Sequence, residues 1–301
     1  MPIFIMLCGL AGSGKSTYAE NLQDKYGDAV ICSSDAIREE LTGDVNIQAI
    51  NDEVFKVLHK RVKDNLKAGN NVIYDACNIS SRRRRHFVQT ELKGIDCVKV
   101  CVVCATSYEQ CLKNNRSRAR QVPEEVIKRM YMNWETPYYF EGWEQIHIHR
   151  YANIIDNLMG HRLQKTVDFN QHNSHHRFTL CEHMFKAWEY IRNDNTEASF
   201  ENADLRWAAL YHDCGKVFTQ VFHNAKGEPT EEAHYYNHEN AGAYDCLCDY
   251  SKTLLTSVLI NLHMKPYTWK LEKTKQKYKK LWGEQLYNMV ILLHEADVAS
   301  H

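Results

Sequence analysis

The sequence predicts an α/β domain, a parallel sheet with helices on both faces, followed by an all-α domain. Three observations carry this. Over residues 1–150, short apolar runs alternate with helical stretches, the pattern of parallel strands joined by crossover helices. The first run ends in Gly9-Leu10-Ala11-Gly12-Ser13-Gly14-Lys15-Ser16, a full match to G-x-x-x-x-G-K-[ST]. From about residue 155 the alternation gives way to long amphipathic segments. The expected domains are 1–152 and 153–301, and the 150–168 region between them holds no Pro/Gly-rich linker.

The elements follow in order. Expected strands are Ile3–Cys8, Ala29–Cys32, Asn71–Ala76 and Cys97–Ala105, with helical stretches such as Glu53–Leu66 and Glu124–Trp134 between or after them. Expected helices of the second half include Thr179–Ile191, Leu205–His212, Leu254–His263 and Gln285–Ala299, with a short hairpin around Val217 to His223 as the exception.

Composition sets limits. A length of 301 residues implies two domains. A net charge of −1 means that any nucleic-acid binding must come from local patches. The N-terminus enters an apolar strand at once, without a secretory signal, so the expected setting of the 11 cysteines is a reducing cytoplasm. Cys101 and Cys104 form a C-x-x-C inside a strand-like run and read as packing residues. No apolar run approaches the roughly 18 residues of a membrane helix, so no membrane partner is expected.

The first chemistry is phosphate donation. Strand, Gly-rich turn and helix let backbone N–H groups of Gly12, Ser13 and Gly14 approach nucleotide phosphates. Lys15 can reach the β/γ oxygens, Ser16 can ligate Mg²⁺, and Thr17 completes the nucleotide-binding turn. Asp35 and Arg38 lie three apart where the second strand meets a helix. Asp35 can take the proton of an acceptor hydroxyl while Arg38 binds an adjacent phosphate; alternatively, Asp35 only caps the helix. Arg116, Arg118 and Arg120 precede the Pro-started helix at Pro123 and read either as a lid over donor phosphates or as a solvated helix end. Asp75, ending the third strand, can contact Mg²⁺ through water. The Arg82–Arg85 run reads as a backbone contact or as a solvated face.

Residues 1–150 resemble the polynucleotide 5′-kinase family of phages and bacterial RNA-repair enzymes. The matching segments are GLAGSGKS, SSDAIRE, YDACN-ISSRRRR and RSRAR-QVPEEVI. The resemblance implies that Asp35 is the general base, that Arg38 contacts the acceptor's 3′ phosphate and that a lid arginine, Arg118 in the preferred alignment, contacts ATP. The D-x-x-R pattern also occurs in related kinases of small molecules or proteins.

The second chemistry is metal-dependent. His183, the adjacent His212-Asp213 and Asp297 form a spaced His/Asp set on helical segments and can share one metal. The set resembles the all-α HD superfamily of metal phosphohydrolases, with Tyr211-His212-Asp213-Cys214-Gly215-Lys216 close to its LHDIGK signature. The resemblance implies a second metal on His238 and His263, bridged by Asp213, with Mn, Fe, Co, Ni or Zn as candidate ions. Lys216 shares a face with His212 if that helix continues, and then reads as a substrate-phosphate ligand or as a helix-terminal cation. Residues 171–179, with His176 and Arg177 as phosphate contacts, resemble the opening segment of HD domains attached to tRNA-end enzymes. Lys270 to Lys280, with six lysines beside Trp269 and Tyr278, reads as a nucleic-acid contact or as a solvated helix face.

Together these readings imply an enzyme that heals nucleic-acid ends, RNA in preference to DNA, with ATP or another NTP, Mg²⁺ and a transition metal, and with a ligase as functional partner. Bacterial RNA-repair fusions of these domains usually place the HD domain first; this chain has the opposite order. The alternatives are a nucleotide or nucleoside kinase fused to a nucleotidase, and a nucleotide-gated HD hydrolase.

Overall fold

A computed structural model describes residues 1–25, 29–118, 120–150, 157–173, 178–193 and 203–301. The chain forms two compact units: Met1–Met130 with Pro137–Tyr151, and Tyr131–Thr136 with Ala152–His301.

The first unit is built on a five-stranded parallel sheet of order β2-β3-β1-β4-β5. Its strands are β1 (Ile3–Cys8), β2 (Val30–Ser33), β3 (Val72–Asp75), β4 (Val98–Ala105) and β5 (Gln145–Arg150). Its helices are α1 (Lys15–Lys25), α2 (Ser34–Thr42), α3 (Asn51–Lys67), α4 (Ser81–His86), α5 (Tyr108–Arg116) and α6 (Glu124–Met132), the last ending within the second unit's Tyr131–Thr136 segment. Both faces of β1 are covered, which explains a strand that is apolar at every position. Ile5 and Leu7 pack with Ala19, Leu22 and Val102 on one side. Phe4 meets Phe87 and Trp143 on the other, with ring centroids 5.4 and 6.4 Å apart. The strand missing from the sequence reading is β5. It is a polar edge strand, QIHIHR, without the apolar run that marks the others.

The second unit is helical: α7 (Leu158–Gln164), α8 (Leu180–Asn193), α9 (Ala203–Tyr211), the single turn α10 (Lys216–Thr219), α11 (His238–Cys248), α12 (Leu254–Leu262), α13 (Glu272–Trp282) and α14 (Glu284–Ala299). An antiparallel hairpin, β6 (Gln220–His223) with β7 (Pro229–Tyr235), interrupts the helices. The expected hairpin around Val217 to His223 is thus real but begins later, because Lys216–Thr219 coils into a turn of helix first. Trp134 leaves α6 to pack edge-on against Tyr244 at 5.0 Å, and the Thr136 N–H donates to Asn261 Oδ1 at 3.0 Å. Among the described residues, no helix is long and apolar enough to cross a membrane.

Candidate active sites

Sheet register assembles the first site. Asp75 pairs with Leu7 on one side and Ser33 on the other, so β1, β2 and β3 end level. The loops leaving them share one edge, the usual ligand edge of a parallel sheet. Gly12 has φ +81° and lies so close to the Cys111 carbonyl that a Cβ would stand 2.4 Å from it. Only glycine makes this loop. Lys15 is buried and donates to the carbonyls of Gly9 (3.1 Å) and Leu10 (2.7 Å). Burial opposes its charge, but Cys77 and Asp75 outweigh that and raise its pKa. Ser16 and Thr17 stand exposed on the first turn of α1, and Ser16 Oγ donates to Asp75 Oδ2 at 2.9 Å. The loop, Ser16 and Asp75 therefore fit a nucleotide triphosphate with its Mg²⁺.

Asp35 lies in the first turn of α2 but does not cap it; the residue before the helix is Ser33. Its carboxylate is 48% exposed and receives Arg38 Nη1 at 2.7 Å and Arg120 Nη1 at 2.5 Å. Arg38 is buried and is fixed from the other side by Asn51 Oδ1 at 2.8 Å. The arginines of the 116–120 segment separate in role. Arg116 pairs with Glu124, Arg120 reaches Asp35, and Arg118 is exposed. The Arg82–Arg85 run is not a uniform basic face. Arg84 is wholly buried and makes a two-pronged ion pair with Glu141, at 2.8 and 2.7 Å. Trp143 Nε1 also donates to Glu141 Oε2 at 2.8 Å. Arg84 is a core residue, because a guanidinium can enter the interior only with such a partner.

The second site lies among the helices of the second unit. His183 comes from α8, His212 and Asp213 follow α9, His238 opens α11, His263 ends α12 and Asp297 lies on α14. All six are buried. His183 Nε2 lies 3.1 Å from both His212 Nε2 and Asp297 Oδ1 and 3.4 Å from Asp213 Oδ2. The other oxygen, Asp213 Oδ1, lies 3.0 Å from His238 Nε2 and 3.7 Å from His263 Nε2, and those two nitrogens are 3.3 Å apart. Ligand atoms of His183, His212, Asp213 and Asp297 converge as one group, and those of Asp213, His238 and His263 as another. Asp213 belongs to both.

The outer nitrogens decide what this geometry needs. Nδ1 of His183, His212, His238 and His263 faces the backbone carbonyls of Ser300, Ala209, Tyr235 and Ile260, at 3.1, 2.8, 2.8 and 2.7 Å. A carbonyl accepts only, so each Nδ1 carries a proton and each neutral ring turns a lone pair inward. Two such nitrogens 3.1 or 3.3 Å apart repel unless a cation or a proton lies between them. The donor set, imidazoles plus carboxylates, suits a divalent transition metal in each group. Protons compete for these positions. Burial opposes the charge of His183, yet hydrogen bonds to Asp213 and Asp297 raise its pKa to about 9. Burial likewise works against Asp213 and Asp297, but Lys216 and His212 hold the first, and His212 and His183 the second, well below the usual carboxylate range.

Gly215 makes the close approach possible: a Cβ there would stand 2.0 Å from the His238 carbonyl. The glycine of the His-Asp-x-Gly-Lys run thus brings the start of α11 against Asp213. Lys216 does not continue a helix from His212, because α9 stops at Tyr211. Instead it pairs with Asp213 Oδ2 at 2.6 Å. A cavity of about 300 Å³ opens over the centre, lined by Asp213, Lys216, His234, Tyr267, Asp297 and His301 among others. Tyr267 and His301 escaped the sequence reading. Tyr267 donates to Asp297 Oδ2 at 3.0 Å, and the His301 ring lies 4.9 Å from that of His183. Only the i+4 spacing of His301 from Asp297 offered a sequence signal. His176 and Arg177 lie outside the described residues.

Comparison with known proteins finds two family matches in the chain. Residues 4–137 match the AAA domain family and residues 180–300 match the HD domain family. A curated relative, the L-seryl-tRNA(Sec) kinase of Methanococcus maripaludis, is 28% identical over 146 residues, 47% of this chain and 56% of that protein. The chain thus spans little more than half the length of that relative. Solved structures with similarity include a candidate kinase of Chloroflexus aurantiacus (16% identity, 55% of this chain and 94% of that one, TM-score 0.43). Another is a chain of a Pnkp1/Rnl/Hen1 complex (27% identity, 40% of each chain, TM-score 0.35). This chain carries an AAA-type P-loop kinase domain followed by a domain of the HD family.

Proposed function

We propose that the protein heals nucleic-acid ends, RNA in preference to DNA: the first domain phosphorylates a 5′-hydroxyl with ATP or another NTP, and the second removes a 3′ phosphate or a 2′,3′-cyclic phosphate. The observation that carries this reading is the pairing of an exposed Asp35 carboxylate, beside a P-loop, with a carboxylate shared by two metal-ligand groups in the same chain.

In the kinase half, Asp35 serves as the base for the acceptor hydroxyl. Arg38, anchored by Asn51, orients that carboxylate and binds the acceptor's adjacent phosphate. Lys15 and Arg118 are assigned to the donor phosphates, and Ser16 with Asp75 to Mg²⁺. Arg120 holds Asp35 from the 116–120 segment. The name of the methanococcal relative, a kinase of an aminoacylated tRNA, supports an acceptor that includes RNA.

In the hydrolase half, His183, His212, Asp213 and Asp297 would hold one metal, and Asp213, His238 and His263 a second. Divalent metals there would supply Lewis acidity and an activated water. Lys216, paired with Asp213 Oδ2 and lining the cavity, is assigned to the substrate phosphate. A cavity of about 300 Å³ is at the small end for ligand sites and suits a terminal nucleotide better than an internal one. The products, a 5′ phosphate and a 3′ hydroxyl, are the ends a ligase joins, so a ligase is the expected partner, in the cytoplasm.

The test is an RNA oligonucleotide with a 5′-hydroxyl and a 2′,3′-cyclic phosphate, incubated with ATP, Mg²⁺ and Mn²⁺. Conversion of both ends is the expected result. If both ends stay intact while free nucleosides or nucleotides are phosphorylated or hydrolysed, the substrate is a small molecule and the proposal falls.

A further inference from the structure

We propose that one exposed lysine stripe of α13, Lys273, Lys277 and Lys280, extended by Lys270, is a phosphodiester-binding track for the RNA strand whose 3′ end occupies the metal cavity. The inference rests on the end-healing reading and assigns that substrate a path.

The stripe follows from helical spacing. Positions 273, 277 and 280 stand at i, i+4 and i+7, one face of an α-helix, spanning roughly 10 Å. All three are exposed, as is Lys270. The other lysines of α13 have acidic neighbours: Lys275 lies 3.8 Å from Glu272 and Lys279 lies 2.7 Å from Glu284. Among the described residues, no ion pair engages Lys270, Lys273, Lys277 or Lys280. The chain as a whole has a net charge of −1, so this face is a local feature.

The stripe is also held rigidly. The opposite side of α13 carries Tyr278 and Trp282, about 140–180° around the helix from Lys273. These rings pack on Trp269 at 5.0 and 5.7 Å, and Trp269 stacks on Tyr287 at 5.6 Å. Continuity with the active site comes from the preceding turn. Met264 and Tyr267 line the metal cavity, and Lys270 follows Tyr267 by three residues. Tyr267 is 44% exposed, which leaves ring surface on which a base can stack as the strand leaves the cavity. A mononucleotide would reach the cavity without touching the stripe, whereas a strand would lay its phosphates along it.

The test separates binding from reaction. Binding is read by fluorescence anisotropy of a 12-nucleotide RNA with a 5′ fluorescein and a 3′-hydroxyl, ends that neither domain converts. Hydrolysis is read on a 3′-phosphorylated 12-mer and on a 3′-mononucleotide. The triple variant Lys273→Gln/Lys277→Gln/Lys280→Gln should bind about tenfold more weakly, with the salt slope shallower by about 2, as expected for three lost contacts to a single strand. Its KM for the 12-mer should rise while mononucleotide hydrolysis stays at the wild-type value. The corresponding triple arginine variant should restore binding. Wild-type affinity and salt slope in the glutamine variant, or equal losses on both substrates, would overturn the track. If the wild type binds RNA yet releases phosphate from neither substrate, the end-healing reading fails, and the salt slope still decides the track.

Discussion

The two phosphate sites of this chain balance their charges in opposite ways. In the P-loop half the groups of the site have protein partners of complementary chemistry: Lys15 has carbonyls of its own loop, Ser16 has Asp75, and Asp35 has two arginines. In the HD half the imidazole nitrogens repel one another, with the carboxylates of Asp213 and Asp297 set among them. Four imidazoles, each fixed by a backbone carbonyl, aim their inner nitrogens at one another around Asp213. The first site is complete as protein and gains a ligand. The second balances only with a cation or a proton between those nitrogens, so metal binding and protonation are coupled there.

This contrast can be broken most severely at Asp213. Asp213→Ala removes the one carboxylate that serves both ligand groups. Hydrolase activity should fall by more than the roughly 10–100-fold typical of residues that only orient a ligand, and 5′ phosphorylation should persist; a phosphate-release assay decides. Asp35→Asn should lower kinase turnover by about 10²–10⁴-fold, the range for a lost general base, with hydrolase activity intact. A smaller loss would leave Asp35 only a positioning role.

The third prediction concerns stability. Arg84→Met leaves Glu141 charged and wholly buried, and breaking such a pair costs about 3–5 kcal/mol. Urea denaturation of the P-loop unit should show that loss. If stability is unchanged and RNA binding weakens instead, Arg84 is a surface contact after all. Arg118 and Arg120 offer a finer test. Arg118→Ala should raise the KM for ATP, and Arg120→Ala the KM for the acceptor, since only Arg120 touches Asp35. The smallest effect is the pH dependence of metal binding. The metal-free His183 has its pKa raised to about 9, so below that value a proton occupies the metal position. Apparent affinity of the group that contains His183 should therefore rise about tenfold per pH unit up to about 9, with one proton released on binding there. Titration calorimetry in two buffers measures that proton.

How much was legible in the sequence follows the same division. The P-loop is contiguous, so Gly12 to Ser16 announced their geometry through spacing alone. Asp35 was legible as a strand-end carboxylate, but its second arginine was not, because Arg120 is 85 residues away. The convergence of the candidate metal-ligand residues was legible because His212 and Asp213 are adjacent and lie beside an apolar helix. The supporting Tyr267 sits on a connecting turn whose position depends on tertiary packing. Arg84 was misleading because four consecutive arginines look alike, and only Glu141, 57 residues on, selects one for the core. Strand β5 was hidden by its polar edge composition. The sequence also offered a hairpin near Val217 but could not place its start, since Lys216 is drawn to Asp213 and keeps that turn helical.

On the proposed function, one chain holds two separable phosphate chemistries acting on the two sides of one break. The most direct measurement follows both ends of an RNA with a 5′-hydroxyl and a 2′,3′-cyclic phosphate in wild type, Lys15→Ala and Asp213→Ala. Lys15→Ala should lose only 5′ phosphorylation and Asp213→Ala only 3′ healing. Loss of both activities in either variant, or of neither, would contradict that function.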